Sequence, residues 1–367
     1  MAEKTILFVH LLNNFTGSPK VLRSVVDCAQ KEADARISLL TSNTDGFLSC
    51  FAGKSCDSVR FYDNGYRWTN CRPLLVFLFL FSQIRMFFFV LFHRFDVIYI
   101  NTVVPFGAAL AAKLRREKII YHAHEVYINP NLVKRFYIKI LKKCADRIIC
   151  VSEYVRENLS DIKVPCEVIY NPIEKHDMPN DVEKYLRTKF DKKIIFMPTS
   201  LKEYKGVNQF VELARMFTDY RFSLLCSVTL EEMQSYFSTE KLPENFTLIG
   251  KQENLLEFYR EAAITMNLSL QDKFIETFGL TLAESFDTLT PAIAPNFGGP
   301  KEIVSDGENG FLVNPYDLVS VKKAICLIMQ DFETYEEFAK KSYTAIDKFA
   351  PEVFKKRIIS EIKEVLK

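Results

Sequence analysis

One tryptophan stands among 367 residues, and several familiar signals are missing as well. The nine cysteines are odd in number and scattered, with no C-x-x-C and no Cys/His pairing at zinc spacing, which excludes a disulfide framework and a structural zinc site. Those thiols, Cys56 among them, are expected to be reduced, as in a cytosolic protein. The N-terminus has no long apolar run behind a basic start, so no secretory signal is expected and the chain is placed on the cytosolic side. No surplus of one charge exists either: 48 Lys and Arg face 46 Asp and Glu, which argues against a dedicated nucleic-acid binder. A G-x-G-x-x-G fingerprint is absent from the first strand-to-helix turn, LLNNFTGSPKVL, which leaves a nicotinamide site poorly supported.

What is present in excess is phenylalanine, 32 residues of it, with 16 Tyr. Residues 74–92, LLVFLFLFSQIRMFFFVLF, are almost wholly apolar and long enough to span a bilayer. Arg85 near the middle opposes spanning by ~2.5 to 3.5 kcal/mol on insertion scales. Topology opposes it too, since the runs 36–41 and 96–101 read as neighbouring strands of one sheet. Two other readings stay open: a helix buried between the sheet and its neighbours, and a helix partly inserted in a membrane interface.

Along the rest of the chain, apolar strand-like runs alternate with segments of helical period. The pattern predicts strands over 5–10, 36–41, 97–101, 118–122 and 147–151, separated by helices, then a second series of strands over 193–198, 221–227, 246–250, 263–268, 292–294 and 310–313. Continuous apolar strands separated by helices predict parallel sheets covered on both faces. The fold class is therefore α/β, with two Rossmann-like doubly wound domains. The first is expected over 1–176 and the second over 177–349, with the polar, proline-bearing stretch 171–191 as linker. The last helix, 350–367, carries an apolar stripe of Val353, Phe354, Ile358, Ile362 and Val365 and is expected to pack back on the first domain. Ligands of such sheets bind beyond the carboxyl ends of the strands, so a cleft supplied by both domains is expected.

The most specific motif is ETFGLTLAE, Glu276 and Glu284 with seven residues between them. A helix opening near Phe278 would offer the backbone N–H groups of Phe278, Gly279 and Leu280 to an anion. The two carboxylates would then lie ~10 Å apart at ~1.5 Å rise per residue. Two acceptors flanking anion-binding amides suit a molecule with hydroxyls at both ends and a diphosphate between, as in a sugar nucleotide. The plain alternative is a loop carboxylate and a solvated helix carboxylate.

With its surroundings, this motif resembles the GT-B-fold retaining glycosyltransferases of family 4, also called glycosyl transferase group 1. The likeness rests on ETFGLTLAE, the following PAIAPNFGGPKEIVSDGENGFLVNPYD, and SLKEYKGVNQFVELA at 200–214. In the first half, FDVIYINT, KIIYHAHE and ADRIICVSEYVRENL fit the family's usual strands. The resemblance implies a metal-independent enzyme with no cofactor, using a nucleoside-diphosphate sugar as donor. It casts Lys205 as the cation that pairs with the donor diphosphate and helps the nucleotide leave. It further casts Glu284 as acceptor from the ribose, Glu276 as acceptor from the transferred sugar, and Phe278, Gly279 and Leu280 as phosphate amides. Gly17 falls where backbone approaches the donor, and His124 matches the histidine that faces the donor sugar. Family members commonly carry Gly-Arg where this chain has Thr199-Ser200, so the phosphate grip at Ser200 rests more on Lys205 and on backbone. The chain contains no D-x-D, the motif with which GT-A enzymes hold a divalent metal.

Split at residue 176, the charge is uneven: 24 Lys and Arg with 16 Asp and Glu before it, 24 with 30 after it. In GT-B enzymes the first domain usually holds the acceptor. A basic, Phe-rich acceptor domain suits contact with anionic lipid, where each Lys or Arg adds ~1 kcal/mol, and suggests a lipid-linked saccharide acceptor in surface polysaccharide synthesis, such as O-antigen or capsule. Solvated helix faces are the bland alternative for the charge. A sugar-nucleotide hydrolase or epimerase, or a non-catalytic binding protein, are the alternatives for the function, because a fold does not fix a reaction.

Overall fold

The computed structural model describes residues 3–52, 58–125 and 130–367. The chain forms two compact units, one of Met1–Pro172 with Glu352–Lys367, the other of Ile173–Pro351. The division falls at Pro172/Ile173 rather than after residue 176.

In the first unit the elements are β1 (Lys4–Val9), α1 (Gly17–Glu32), β2 (Ala35–Thr41), β3 (Val59–Asp63), α2 (Arg72–Phe92), β4 (Val97–Asn101), α3 (Phe106–Arg115), β5 (Lys118–Ala123), α4 (Asn131–Cys144), β6 (Arg147–Cys150), α5 (Glu153–Asn158) and β7 (Cys166–Val168). Its seven parallel strands are ordered β3-β2-β1-β4-β5-β6-β7. Strands β1, β4, β5 and β6 are buried on both faces, which is why they read as unbroken apolar runs. The strand order reverses between β1 and β4, the point at which a doubly wound sheet opens a crevice at its carboxyl edge. Edge strands β3 and β7 escape the sequence pattern because each is short and half-exposed on one face.

The second unit runs α6 (Val182–Lys192), β8 (Ile194–Thr199), α7 (Val207–Arg215), β9 (Arg221–Cys226), α8 (Leu230–Tyr236), β10 (Phe246–Ile249), α9 (Leu256–Glu261), β11 (Ile264–Met266), α10 (Leu280–Phe286), β12 (Ala292–Pro295), β13 (Gly310–Val313), α11 (Leu318–Ile328) and α12 (Phe332–Ala345). Its parallel sheet is ordered β10-β9-β8-β11-β12-β13, again reversing, now between β8 and β11. The stretch expected to be linker holds α6. Asp181 caps that helix by accepting from the Lys184 amide at 2.9 Å. Its one fully buried lysine, Lys189, is held well below its usual pKa range by burial, and its amino group donates to the carbonyls of Thr288 at 2.7 Å and Tyr259 at 3.2 Å.

The final helix, α13 (Pro351–Leu366), returns to the first unit. Phe354, Ile358, Ile359 and Ile362 form its buried stripe, whereas Val353 is exposed and Val365 only half-buried. Arg147 Nε lies 2.5 Å from Glu361, and its NH2 group 2.6 Å from Glu364, tying the helix to β6.

Helix α2 is not the core helix that its composition suggests. Its buried residues are Ser82, Gln83, Met86 and Val90, while Phe77, Phe81, Ile84, Phe88 and Phe92 are exposed. Gln83 Oε1 accepts from the Gly107 amide at 3.0 Å, and Ser82 Oγ donates to the Phe79 carbonyl at 2.6 Å. A Cβ at Gly107 would fall 2.0 Å from the Gln83 carbonyl oxygen, so α2 and α3 approach as closely as they do only because residue 107 is glycine. By length and composition α2 could cross a membrane. Its ends, however, join β3 and β4 of one sheet, which keeps both on the same side.

Candidate active site

At the carboxyl edge of the second sheet, the chain leaves β8 through Ser200, whose carbonyl accepts from the Lys202 amide at 2.8 Å, and enters a 3₁₀ turn over Glu203–Lys205. Gly206 follows with φ of 79° and caps α7. The turn is held against the segment after β11 by the Leu270 amide, which donates to the Tyr204 carbonyl at 2.8 Å. That docking delivers Lys205 to Glu276. The ammonium lies 2.8 Å from Glu276 Oε2 and 3.8 Å from the centre of the Phe274 ring, on which Tyr204 stacks. Asn267 Nδ2 reaches the same carboxylate oxygen at 3.5 Å. The two charged side chains keep 14% and 22% of their surface exposed, so the pair is sheltered but open to a ligand.

The Glu276 loop rests on the turn after β12. Gly299 donates its amide to the Glu276 carbonyl at 2.9 Å, and a Cβ at Gly299 would stand 2.2 Å from the Thr277 oxygen. The helix expected to open near Phe278 opens instead at Leu280, with Gly279 as its cap at φ of 104°. The Phe278 ring is buried against Phe349 at 5.4 Å. Glu284 lies one turn into α10, where the Tyr259 hydroxyl donates to its Oε2 at 3.1 Å. Burial first, and the Glu284 charge second, hold the Tyr259 phenol well above its usual range, so it stays a donor.

At the carboxyl edge of the first sheet, at its own reversal point, Asn101 organises a cluster of three histidines. Its Nδ2 donates to the Ser18 carbonyl at 3.1 Å, in the first turn of the helix that Gly17 opens, and lies 3.2 Å from His10 Nδ1. With the amide so oriented, Oδ1 accepts from His124 Nε2 at 2.9 Å, which fixes the Nε2–H tautomer of His124. The His122 ring lies 4.3 Å from that of His124, and its Nδ1 is 2.8 Å from the Tyr99 hydroxyl. Burial lowers His10 to about 4 and His122 to about 3; burial and then the two neighbouring imidazoles lower His124 well below its usual value. All three are neutral at neutral pH. The next residue, Glu125, is pushed up to about 7 by burial, and its Oε2 has no hydrogen-bond partner among the described residues.

The structure thus gathers Lys205, Glu276 and Ser200 at one sheet edge with Glu284, Phe278, Gly279 and Leu280 on the adjoining loop and helix, and Gly17 with His124 around Asn101 in the other unit. Sequence reasoning missed Asn101, Asn267, Tyr259 and Phe274. Only Asn101 left a trace, as a polar residue ending an otherwise apolar strand. Among the described residues no three His, Cys, Asp or Glu side chains are grouped to hold a metal ion. The described cysteines are unbridged, and Cys56 lies outside the described residues.

The sequence profile of the glycosyl transferases group 1 matches residues 180–345, and that of glycosyltransferase family 4 matches residues 26–176. The chain belongs to the group 1, family 4 glycosyltransferases. Among relatives of this glycosyltransferase, the uncharacterized glycosyltransferase MJ1178 of Methanocaldococcus jannaschii is 28% identical over 220 residues, 58% of this chain and 59% of that protein. Sucrose synthase 1 of Oryza sativa subsp. japonica is 29% identical over 190 residues, 47% of this chain and 22% of its own length. The match therefore spans less than two thirds of these curated relatives. Among solved structures, Anabaena HepE in complex with UDP and glucose superposes with a TM-score of 0.75 at 17% identity, covering 98% of this chain and 99% of HepE. Sucrose-phosphate synthase from Thermosynechococcus elongatus gives 0.79 at 15% identity, covering 99% of each. At such identities the likeness establishes the shared GT-B fold of two Rossmann-like domains.

Proposed function

We propose that the protein transfers a sugar, with retention at the anomeric carbon, from a nucleoside-diphosphate sugar to a lipid-linked saccharide at the cytosolic face of a membrane, in the assembly of a surface polysaccharide such as O-antigen or capsule. The observation that carries the proposal is the sheltered Lys205–Glu276 pair at the reversal point of the second sheet, one loop away from Glu284. In this reading the Lys205 ammonium and the amides of Phe278, Gly279 and Leu280 receive the diphosphate, with Ser200 adding a hydroxyl where relatives carry Arg. Charge accumulates on the diphosphate as the glycosidic bond breaks, and a fixed cation there lowers the barrier. Glu276 orients the sugar hydroxyls while holding Lys205 in place, and Glu284 accepts from the ribose. Gly17 and His124 take the roles that the family resemblance gives them toward the donor and its sugar; the neutral His124 imidazole suits hydrogen bonding to a hydroxyl rather than charge pairing. No metal or cofactor is assigned a role. HepE, whose structure holds UDP and glucose, supports a nucleotide-sugar donor.

The test is a panel of nucleotide sugars with polyprenyl-diphosphate-linked saccharides as acceptors, read by released nucleoside diphosphate and by a lengthened glycan. Transfer supports the proposal. Free sugar, or nucleotide without a lengthened glycan, would identify a hydrolase, and binding without turnover a non-catalytic protein.

A further inference from the structure

Three helices of the first unit form a surface that a water-exposed protein rarely keeps. On α2 the exposed residues Phe77, Phe81, Ile84, Phe88 and Phe92 recur every three or four positions, so they make one stripe along the helix, opposite Gln83 and Val90. At ~1.5 Å per residue the stripe is ~22 Å long. It continues sideways. Phe79 meets Phe106 of α3 at 6.2 Å, Phe106 meets the exposed Phe136 of α4 at 5.2 Å, and the same two helices expose Leu114 and Leu132. Soluble monomers seldom leave a contiguous apolar patch larger than a few hundred Å².

The charge around the patch has one sign. Helices α2, α3 and α4 contain nine Lys or Arg and no Asp or Glu. Lys113, Lys139, Lys142 and Lys143 are exposed, and none of them takes part in an ion pair among the described residues. A second copy of this chain laid on the patch would bring its own cations against these. A protein partner would find few hydrogen-bonding side chains along the stripe, where interfaces ordinarily carry one bond per ~100 to 200 Å². An anionic bilayer meets both requirements, taking the Phe stripe into the headgroup and acyl boundary and the lysines against its phosphates.

We propose that α2, with the exposed sides of α3 and α4, is an in-plane docking surface that seats the first unit on an anionic phospholipid membrane. Trp68, the chain's one tryptophan, is 64% exposed a few residues before α2, and because indole rings favour the membrane interface it serves as a reporter of docking. The proposal deepens the lipid-linked acceptor reading and gives it a geometry, yet its test needs neither donor nor acceptor.

The full chain is floated with vesicles of phosphatidylcholine alone and of phosphatidylcholine mixed equally with phosphatidylglycerol. The expected result is at least about tenfold more protein on the anionic vesicles, since several lysines each contribute ~1 kcal/mol, and a bound fraction that falls as salt rises. Binding should drop about tenfold or more in a Phe77→Ser, Phe81→Ser, Phe88→Ser variant, and similarly in Lys139→Glu, Lys142→Glu, both made at exposed positions and checked for unchanged circular dichroism. Trp68 emission should shift to the blue on the anionic vesicles. Lys205→Ala should float like the wild type, which separates membrane docking from the transfer reaction. Wild-type protein that stays unbound, or triple-Phe protein that still floats, overturns the proposal; so does a Trp68 spectrum that vesicle binding leaves unmoved. A concentration-dependent dimer that the triple-Phe variant abolishes, with no flotation, overturns it in favour of a self-interface.

Discussion

Lys205 Nζ sits 2.8 Å from Glu276 Oε2 although the two residues are 71 positions apart, one on the turn after β8 and the other on the loop after β11. The pair puts a cation and a carboxylate side by side at the reversal point of the sheet. A diphosphate arriving there would meet an ammonium already oriented, so little reorganisation is needed as charge develops.

Lys205→Ala is expected to lower donor turnover by about 10² to 10³, the usual loss on removing one group that stabilises developing charge. Lys205→Arg should recover only part of it, because the planar fork does not reproduce a point charge over the Phe274 ring. Steady-state rates of nucleoside diphosphate release give the answer, and wild-type turnover in the alanine variant would remove the phosphate assignment.

Glu284→Gln is expected to weaken nucleotide binding by about tenfold or more, since hydrogen bonds to a charged acceptor contribute ~1.5 to 3 kcal/mol. Tyr259→Phe should raise KM for the donor with kcat little changed, because the Tyr259 hydroxyl acts by orienting the Glu284 carboxylate. If that is its role, adding Tyr259→Phe to Glu284→Gln does no further harm. Calorimetric titration with nucleoside diphosphate distinguishes the cases, and additive losses would give Tyr259 a separate role.

Gly299→Val should nearly abolish activity and lower the melting temperature of the second unit. The new Cβ would fall 2.2 Å from the Thr277 oxygen, so the Glu276 loop must move or the turn must open. A variant that melts and turns over like the wild type would show that the loop accommodates the side chain at no cost to Glu276.

Stability of the first unit should fall as pH drops from about 6.5 toward 4. His10, His122 and His124 have folded-state values below their unfolded one, so in that window the unfolded chain binds more protons and acid favours unfolding. Each buried histidine adds a slope of ~1.4 kcal/mol per pH unit. Glu125, raised to about 7, works in the opposite sense between its unfolded value and 7 and offsets one of the three. Thermal melts across this range should therefore show a net positive slope with pH, steeper in Glu125→Gln and shallower in His10→Asn. A flat profile between pH 4.5 and 6.5 would show that these imidazoles are not buried neutral.

Much of the fold was legible because the inner strands of a parallel sheet are apolar on both faces, and α10 was legible as a helix although it opens at Leu280, two residues later than expected. Strands β3 and β7 were not, since an edge strand need satisfy only one neighbour. Helix α6 was hidden by its polar composition: its inward lysine, Lys189, is satisfied by the carbonyls of Tyr259 and Thr288, 70 and 99 residues away, which no local pattern records. At the site, residue types tied to a motif could be named in advance, Lys205 and Glu276 among them. Their partners could not, because Asn267, Tyr259 and Asn101 matter through where β11, α9 and β4 bring them. For α2 the apolar count said that the helix is hydrophobic and gave no direction.

That direction comes from Gln83. A cylinder greasy almost all round has no preferred roll about its axis, and the single bond from the Gly107 amide to the Gln83 side chain indexes it. Replacing Gln83 with Leu would leave α2 with two nearly equivalent sides to turn inward and strip the Gly107 amide of its acceptor. Hydrogen exchange at Gly107 reads the change directly: slow in the wild type, fast in Gln83→Leu, and equal rates in the two would mean that packing alone sets the roll.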